Sequence, residues 1–277
     1  MWFPLALGSA VLYASMWLFA RASRGLPSGV VTAMYSAWSP ILLFYVSQSV
    51  NFPWEKQWWQ VYMLMPFLII PFTLCMLTYA CQRSPVTIVN PLASLSTFST
   101  LTIATAFFAK SFSSIHIAGM VVITAGLFFL YHGQWKEWNK PWPWLVLLGV
   151  LILGLNVAII KEVLERFPHP IAVLALAATG TFAVNAIFAG KSWLKIKWTK
   201  NVIILLGAFA LVNLSQDVLT FLALSVGPAP HVVAVKRTSI LFAAIGGYFI
   251  FKEKDQSLVR LIISCVIVVI GVALLNV

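Results

Sequence analysis

The chain has 277 residues, of which 61% are hydrophobic and only 9% charged, with a mean hydropathy of +0.95. A soluble globular domain carries about 25% charged residues, so the composition excludes that class and implies a chain threaded through a lipid bilayer. The net charge of +11 is dispersed over short loops, which points to membrane orientation and anionic headgroups and away from nucleic acid.

In chain order, hydropathy predicts ten helical spans, at roughly 2–20, 27–49, 59–80, 85–108, 114–131, 143–160, 169–189, 202–225, 229–251 and 257–276. Each approaches the ~20 residues that cross the hydrocarbon core. Backbone polar groups in lipid require a helix or a closed barrel, and long unalternated apolar runs exclude the barrel. The expected fold class is therefore an all-α integral membrane protein. The first span has no basic start and an apolar run long enough to cross, so it reads as a retained helix rather than a cleaved signal. The joining segments, such as 21–27, 51–56, 82–85 and 190–201, are too short to form a soluble domain. Trp54, Trp58, Trp59, Trp135, Trp138, Trp142, Trp144, Trp193 and Trp198 fall at span edges and read as an interfacial belt.

The chain also repeats itself. Residues 80–130 lie on 225–275 without a gap at an offset of 145, so that Pro85 matches Pro230, Gly126 matches Gly271 and Leu130 matches Leu275. This predicts two five-helix repeats, 1–131 and 132–277. Five is odd, so the repeats would be inserted in opposite senses, with a site near the midplane between them.

Each half closes with a Pro-containing loop, a helix, a short polar or charged turn and a final Gly-containing apolar helix. In the second half this runs from Gly227-Pro228-Ala229-Pro230 through Phe251-Lys252-Glu253-Lys254 to Val266–Leu275. The pattern resembles the EamA-type transporters of the drug/metabolite transporter superfamily. That resemblance implies ten helices in two five-helix repeats, and Glu253 is similar to the family's glutamate signature. The corresponding turn of the first half, 107–112, has no glutamate.

Polar groups inside the spans supply the candidate site. Lys236 and Arg237 stand side by side within span nine. A charge at the bilayer centre costs at least ~2.5–3.5 kcal/mol, so neither is expected to face lipid. Asp217 lies ten residues before Gly227 and the cations about ten after it. At ~1.5 Å per residue all three reach a similar depth, about 12–15 Å, which predicts an ion pair between neighbouring helices. Two cations and one carboxylate leave about one positive charge for an anionic substrate. Arginine offers a planar fork to carboxylate or phosphate, and lysine a point charge. The Lys236–Arg237 pair looks like the one with which plastid phosphate translocators, in the same superfamily, hold a phosphate. Alternatively, the three form a structural cluster that fixes helix packing. Gln216 and Asn213 are placed to bond these charges. Asn90, before Pro91 in span four, falls at the repeat position of Val235. Tyr13, Trp17, Tyr35 and Trp38 make aromatic pairs in spans one and two that either pack or line a cavity. Asn156 and Asn185 read as interhelical hydrogen bonders, and Lys161 as an interfacial residue.

Signatures of catalysis and of dinucleotide or phosphate loops are absent from the sequence, and Cys75, Cys81 and Cys265 show no metal spacing. No enzyme activity, cofactor or metal is expected. Alternate loops divide the cations twelve to four, with Lys56, Lys110, Lys161 and Arg166 on the poorer side. The positive-inside rule would then place both termini outside, whereas the family resemblance implies termini in the cytoplasm. The expected partners are the bilayer, here the plasma membrane of a bacterium, and a small anionic or phosphorylated metabolite carried by alternating access. Two other readings remain open: an exporter of amphipathic or aromatic metabolites or amino acids, and a non-transporting membrane subunit.

Overall fold

The computed structural model describes residues 1–83, 89, 95–130, 142–250 and 258–274. In these, every regular element is helical: α1 (Trp2–Ala22), α2 (Ser28–Tyr35), α3 (Ser39–Ser47), α4 (Gln57–Leu64), a π-helical turn (Met65–Ile69), α5 (Ile70–Arg83), α6 (Ser96–Phe108), α7 (Ser114–Leu130), α8 (Trp142–Arg166), α9 (Pro170–Ala189), a 3₁₀ turn (Gly190–Lys195), α10 (Lys200–Val226), α11 (Ala229–Arg237), α12 (Ser239–Ile250) and α13 (Leu258–Leu274). Among the described residues, six helical stretches are long and apolar enough to cross a membrane: Trp2–Ala22, Ser28–Ser47, Gln57–Arg83, Trp142–Arg166, Pro170–Lys195 and Lys200–Val226. Large apolar side chains face outward along them, including Ile41, Phe44, Leu151, Ile187, Ile204 and Leu211. In water such a surface would aggregate; in lipid it is solvated. The chain is an integral membrane protein.

Among the described residues, helical paths are interrupted after α2, after α4 and after α11, the first two at prolines. Between α2 and α3 the interruption spans Ser36–Trp38. Pro40 has no N–H for the carbonyl of Ser36, four residues earlier, and its ring would clash there. That carbonyl instead receives the Ser39 amide at 3.0 Å and the Ser39 hydroxyl at 2.6 Å. Pro66 opens the π turn between α4 and α5 in the same way. At Thr238, between α11 and α12, the amide and the hydroxyl both turn back to the Val235 carbonyl, at 3.0 and 2.8 Å.

Small residues set how closely the helices approach, as in other membrane bundles. A Cβ at Gly180 of α9 would stand 2.6 Å from the Phe67 carbonyl of the π turn. One at Gly271 would stand 2.8 Å from the Gly119 carbonyl, where α13 crosses α7. The tryptophan belt is only partly observed. Trp54, Trp144 and Trp198 are exposed, but Trp59 and Trp142 are buried in the core. Trp59 is enclosed by Phe52, Trp54, Trp58 and Phe167. Trp135 and Trp138 lie outside the described residues.

Overpacking of this kind typically costs about 1–3 kcal/mol. Gly271→Val is therefore expected to lower the melting temperature of the detergent-purified protein by several degrees. Gly207→Val is the control, because a Cβ there meets nothing within 4 Å, and it should leave the melting temperature nearly unchanged.

Candidate functional site

The interrupted helices surround a cavity of about 130 Å³. Its wall takes Tyr13 from α1, Tyr35 and Ser36 from the end of α2, Pro66 from the π turn and Asn156 from α8. Asn213, Gln216, Asp217 and Thr220 come from α10, and Lys236 and Arg237 from the last turn of α11. Seven of the ten site residues expected from sequence thus meet there: Tyr13, Tyr35, Asn213, Gln216, Asp217, Lys236 and Arg237. Trp17 and Trp38 stand behind the wall, and Asn90 lies outside the described residues, as does the turn carrying Glu253.

Arg237 is 3% exposed. Its Nε and one terminal nitrogen donate to Ser96 Oγ of α6 at 3.0 and 2.7 Å, and the other terminal nitrogen donates to Tyr13 Oη at 3.3 Å. Half-buried Lys236 points its ammonium at the face of Tyr13, 4.5 Å from the ring centroid, and donates to Thr220 Oγ1 at 3.1 Å. A cation over an aromatic face is attracted by the ring quadrupole.

The direct ion pair expected between Asp217 and these cations is not formed. Among the described residues, the ion pairs within 4.0 Å are Lys110–Glu165, Lys161–Glu165 and Arg166–Glu162. Asp217 is occupied otherwise, accepting from Asn213 Nδ2 at 2.9 Å and from Gln216 Nε2 at 2.7 Å. Gln216 Nε2 also reaches Thr220 Oγ1 at 3.1 Å, which lies 2.7 Å from Ser9 Oγ. Carboxylate and ammonium are thus joined through an amide and a hydroxyl. A direct dry contact would need compensating hydrogen bonds for both charges, and the relay supplies them.

The break after α2 feeds the same network. It frees the Tyr35 carbonyl, which accepts from Trp38 Nε1 at 2.9 Å and from Asn213 Nδ2 at 3.3 Å. Trp38 therefore caps the broken helix, and Trp17 supports Tyr13 edge-on at 5.4 Å. Two polar atoms of wall residues, Tyr35 Oη and Asn156 Oδ1, are buried without a hydrogen-bond partner among the described residues. Asn185 does join helices, donating to the Pro71 carbonyl at 3.2 Å.

Ser96 and Ser9 were not singled out by sequence. The available signal for Ser96 was the run Ser94-Leu95-Ser96-Thr97-Phe98-Ser99-Thr100. So many hydroxyls in an apolar span imply a polar neighbour. Ser9 gave no signal beyond its place in span one.

The sequence model of the EamA-like transporter family matches residues 140–277, the second half of the chain. Through that half the protein belongs to the EamA-like transporter family. The family forms part of the drug/metabolite transporter superfamily and consists of membrane transporters. Among solved structures, 29 chains match. One, described only as the crystal structure of a protein, has a TM-score of 0.72 over 100% of this chain and 98% of its own, at 13% identity. At that identity the likeness concerns the fold. No curated protein matches significantly.

Ser96→Ala removes the acceptor used by two donors of the buried Arg237. A hydrogen bond to a charged group contributes about 1.5–3 kcal/mol, so the variant should melt measurably lower. In a double-mutant cycle, Ser96→Ala should cost far less in an Arg237→Gln background. Additive effects would show that the two side chains are not coupled.

Proposed function

We propose that this EamA-like protein is a secondary transporter of a small anionic or phosphorylated metabolite, working by alternating access in the plasma membrane of a bacterium. The observation that carries the proposal is the electrostatics of the cavity. Two adjacent cations, one of them buried, find hydroxyl and aromatic partners among the described residues, while the nearby carboxylate is taken by amides. Burying a charge without an opposite partner is unfavourable. An anion entering the cavity supplies that partner, with Arg237 presenting a planar fork and Lys236 a mobile point charge. Pro66, Ile70 and Leu174 make another part of the wall apolar. That favours an anion with a short apolar portion, and it is the observation behind the competing reading of an amphipathic substrate.

Ten spans in two inverted repeats, 1–131 and 132–277, are part of the same proposal. Helix packing supports it, because contacts between the halves come in pairs related by the 145-residue offset. α5 packs on α8 as α10 packs on α1; α6 packs on α8 as α12 packs on α1; α5 packs on α9 as α10 packs on α2. At the α7–α13 crossing, a Cβ on Gly126 would meet Val268 at 3.1 Å and one on Gly271 would meet Ile123 at 2.7 Å. Those two contacts exchange under the offset. The Arg237–Ser96 bond lies where α11 meets α6, so the cations sit at the seam along which two rocking repeats would part.

Two results are expected. In intact cells, single cysteines replacing Lys56 and Lys195 should react with an impermeant reagent from opposite faces, because five spans separate them; reaction from one face would contradict the ten-span topology. In proteoliposomes, Lys236→Ala and Arg237→Ala should abolish anion uptake while the protein stays monodisperse. Asp217→Asn should lower the melting temperature and retain anion binding. Unchanged uptake in both cation variants would rule out the anion site, whereas a large loss of stability in all three with no ligand effect would favour a structural cluster.

A further inference from the structure

A second cavity, of about 550 Å³, lies where the α6–α7 loop, the end of α8 and the α10–α11 turn come together. Its wall contains charged and titratable side chains from both halves of the chain. Lys110 Nζ of the α6–α7 loop meets Glu165 Oε2 of α8 at 2.6 Å. His116 of α7 packs edge-on against His231 of α11, with ring centroids 4.4 Å apart, and Ser113 Oγ steadies His116 Nδ1 at 3.0 Å. Lys161 donates to the Leu224 carbonyl at 3.0 Å and lies 3.7 Å from Glu165. It is therefore a half-buried clamp on the end of α10.

This cavity follows the same helices as the candidate substrate site. Ile160, Leu224 and Val232 line the substrate site, and their near neighbours Lys161, Val226 and His231 line the second cavity. Along each of these helices the two linings lie only one or two residues apart. The chain also turns sharply at the rim: Ala109 ends α6 with φ 50°, a left-handed conformation unusual for a residue other than glycine. Such strained positions recur at switching segments.

We propose, resting on the transporter reading above, that the second cavity is the closed mouth of the transport path. In the state described here it is latched across the halves by Lys110–Glu165 and by the His116–His231 contact. The Lys110–Glu165 pair is substantially exposed, with side-chain exposures of 40% and 36%. Exposed ion pairs are weak and screened by salt, which suits a contact broken and remade in every cycle. The apolar layer beneath, including Leu224 and Val232, both nearly fully buried, keeps water from the substrate site while the mouth is shut. Substrate would pass when the α6–α7 loop moves away from the end of α8.

The test uses the full chain with Cys75, Cys81 and Cys265 replaced by alanine and with Lys110→Cys and Glu165→Cys introduced. A short bis-thiosulfonate reagent, cleavable by reductant, should cross-link the two new cysteines. In proteoliposomes the cross-linked protein should lose uptake of small carboxylates and phosphate, and reductant should restore it. Cross-linked protein in detergent should still be stabilised against heat by any anion that stabilises the uncross-linked protein. Uptake that persists in fully cross-linked protein would overturn the mouth, as would failure of the cross-link to form. If uncross-linked protein neither binds nor carries any anion, the transporter reading itself fails, and that result is distinct from the other two.

Discussion

Arg237 is a full positive charge held at 3% exposure inside a membrane bundle, and the partners it finds among the described residues are the hydroxyls of Ser96 and Tyr13. Much of the architecture answers to that constraint. A buried guanidinium needs several acceptors in fixed directions. These come from α6 and α1, elements far apart in sequence that α11 brings together. The hydroxyls accept one bond from each of its three nitrogens without neutralising its charge. Lys236 is treated similarly by Thr220 and the face of Tyr13. The result is a cavity whose hydrogen bonding is largely complete but whose charge is not balanced by direct ion pairing.

The interrupted helices make this arrangement possible. An unbroken helix consumes its own carbonyls and offers the centre of a membrane little besides side chains. The break after Tyr35 releases a carbonyl that orients Asn213. Asn213 in turn holds one oxygen of Asp217 while Gln216 holds the other. Pro40 and Pro66 are the covalent causes of two of the interruptions, so a few residues without an amide proton set up much of the polar network. Transporter folds commonly place such discontinuities at their substrate sites.

Sequence made the membrane class, the long apolar helices and the meeting of Lys236, Arg237 and Asp217 at one cavity legible. Charges inside apolar runs stand out by their cost, and residues equidistant from a turn must reach similar depth. The connection among the charges was not legible. A direct Asp217 ion pair was the simplest expectation, but side-chain amides one and four residues away on the same helix compete for the carboxylate, and helix geometry favours them. Trp17 and Trp38 were read as possible cavity lining because aromatic spacing cannot tell a wall from its support. Trp59 and Trp142 look interfacial by position but are buried, Trp59 beneath the aromatic rings of Phe52, Trp54, Trp58 and Phe167. Ser96 escaped notice because a single hydroxyl carries no charge signal, although the Ser/Thr run around it did mark a polar face.

The central claim is that the cavity is short of negative charge, and it is tested most directly by the thermal stability of the purified wild-type protein with matched pairs of small ligands. Each pair should differ only in charge, such as a short carboxylate and its neutral amide. A ligand at 100 times its dissociation constant adds about 2.7 kcal/mol to the native state. The account predicts that one or more anions raise the melting temperature and that their neutral counterparts do not. Stabilisation by neutral aromatic compounds with no response to any anion would contradict it.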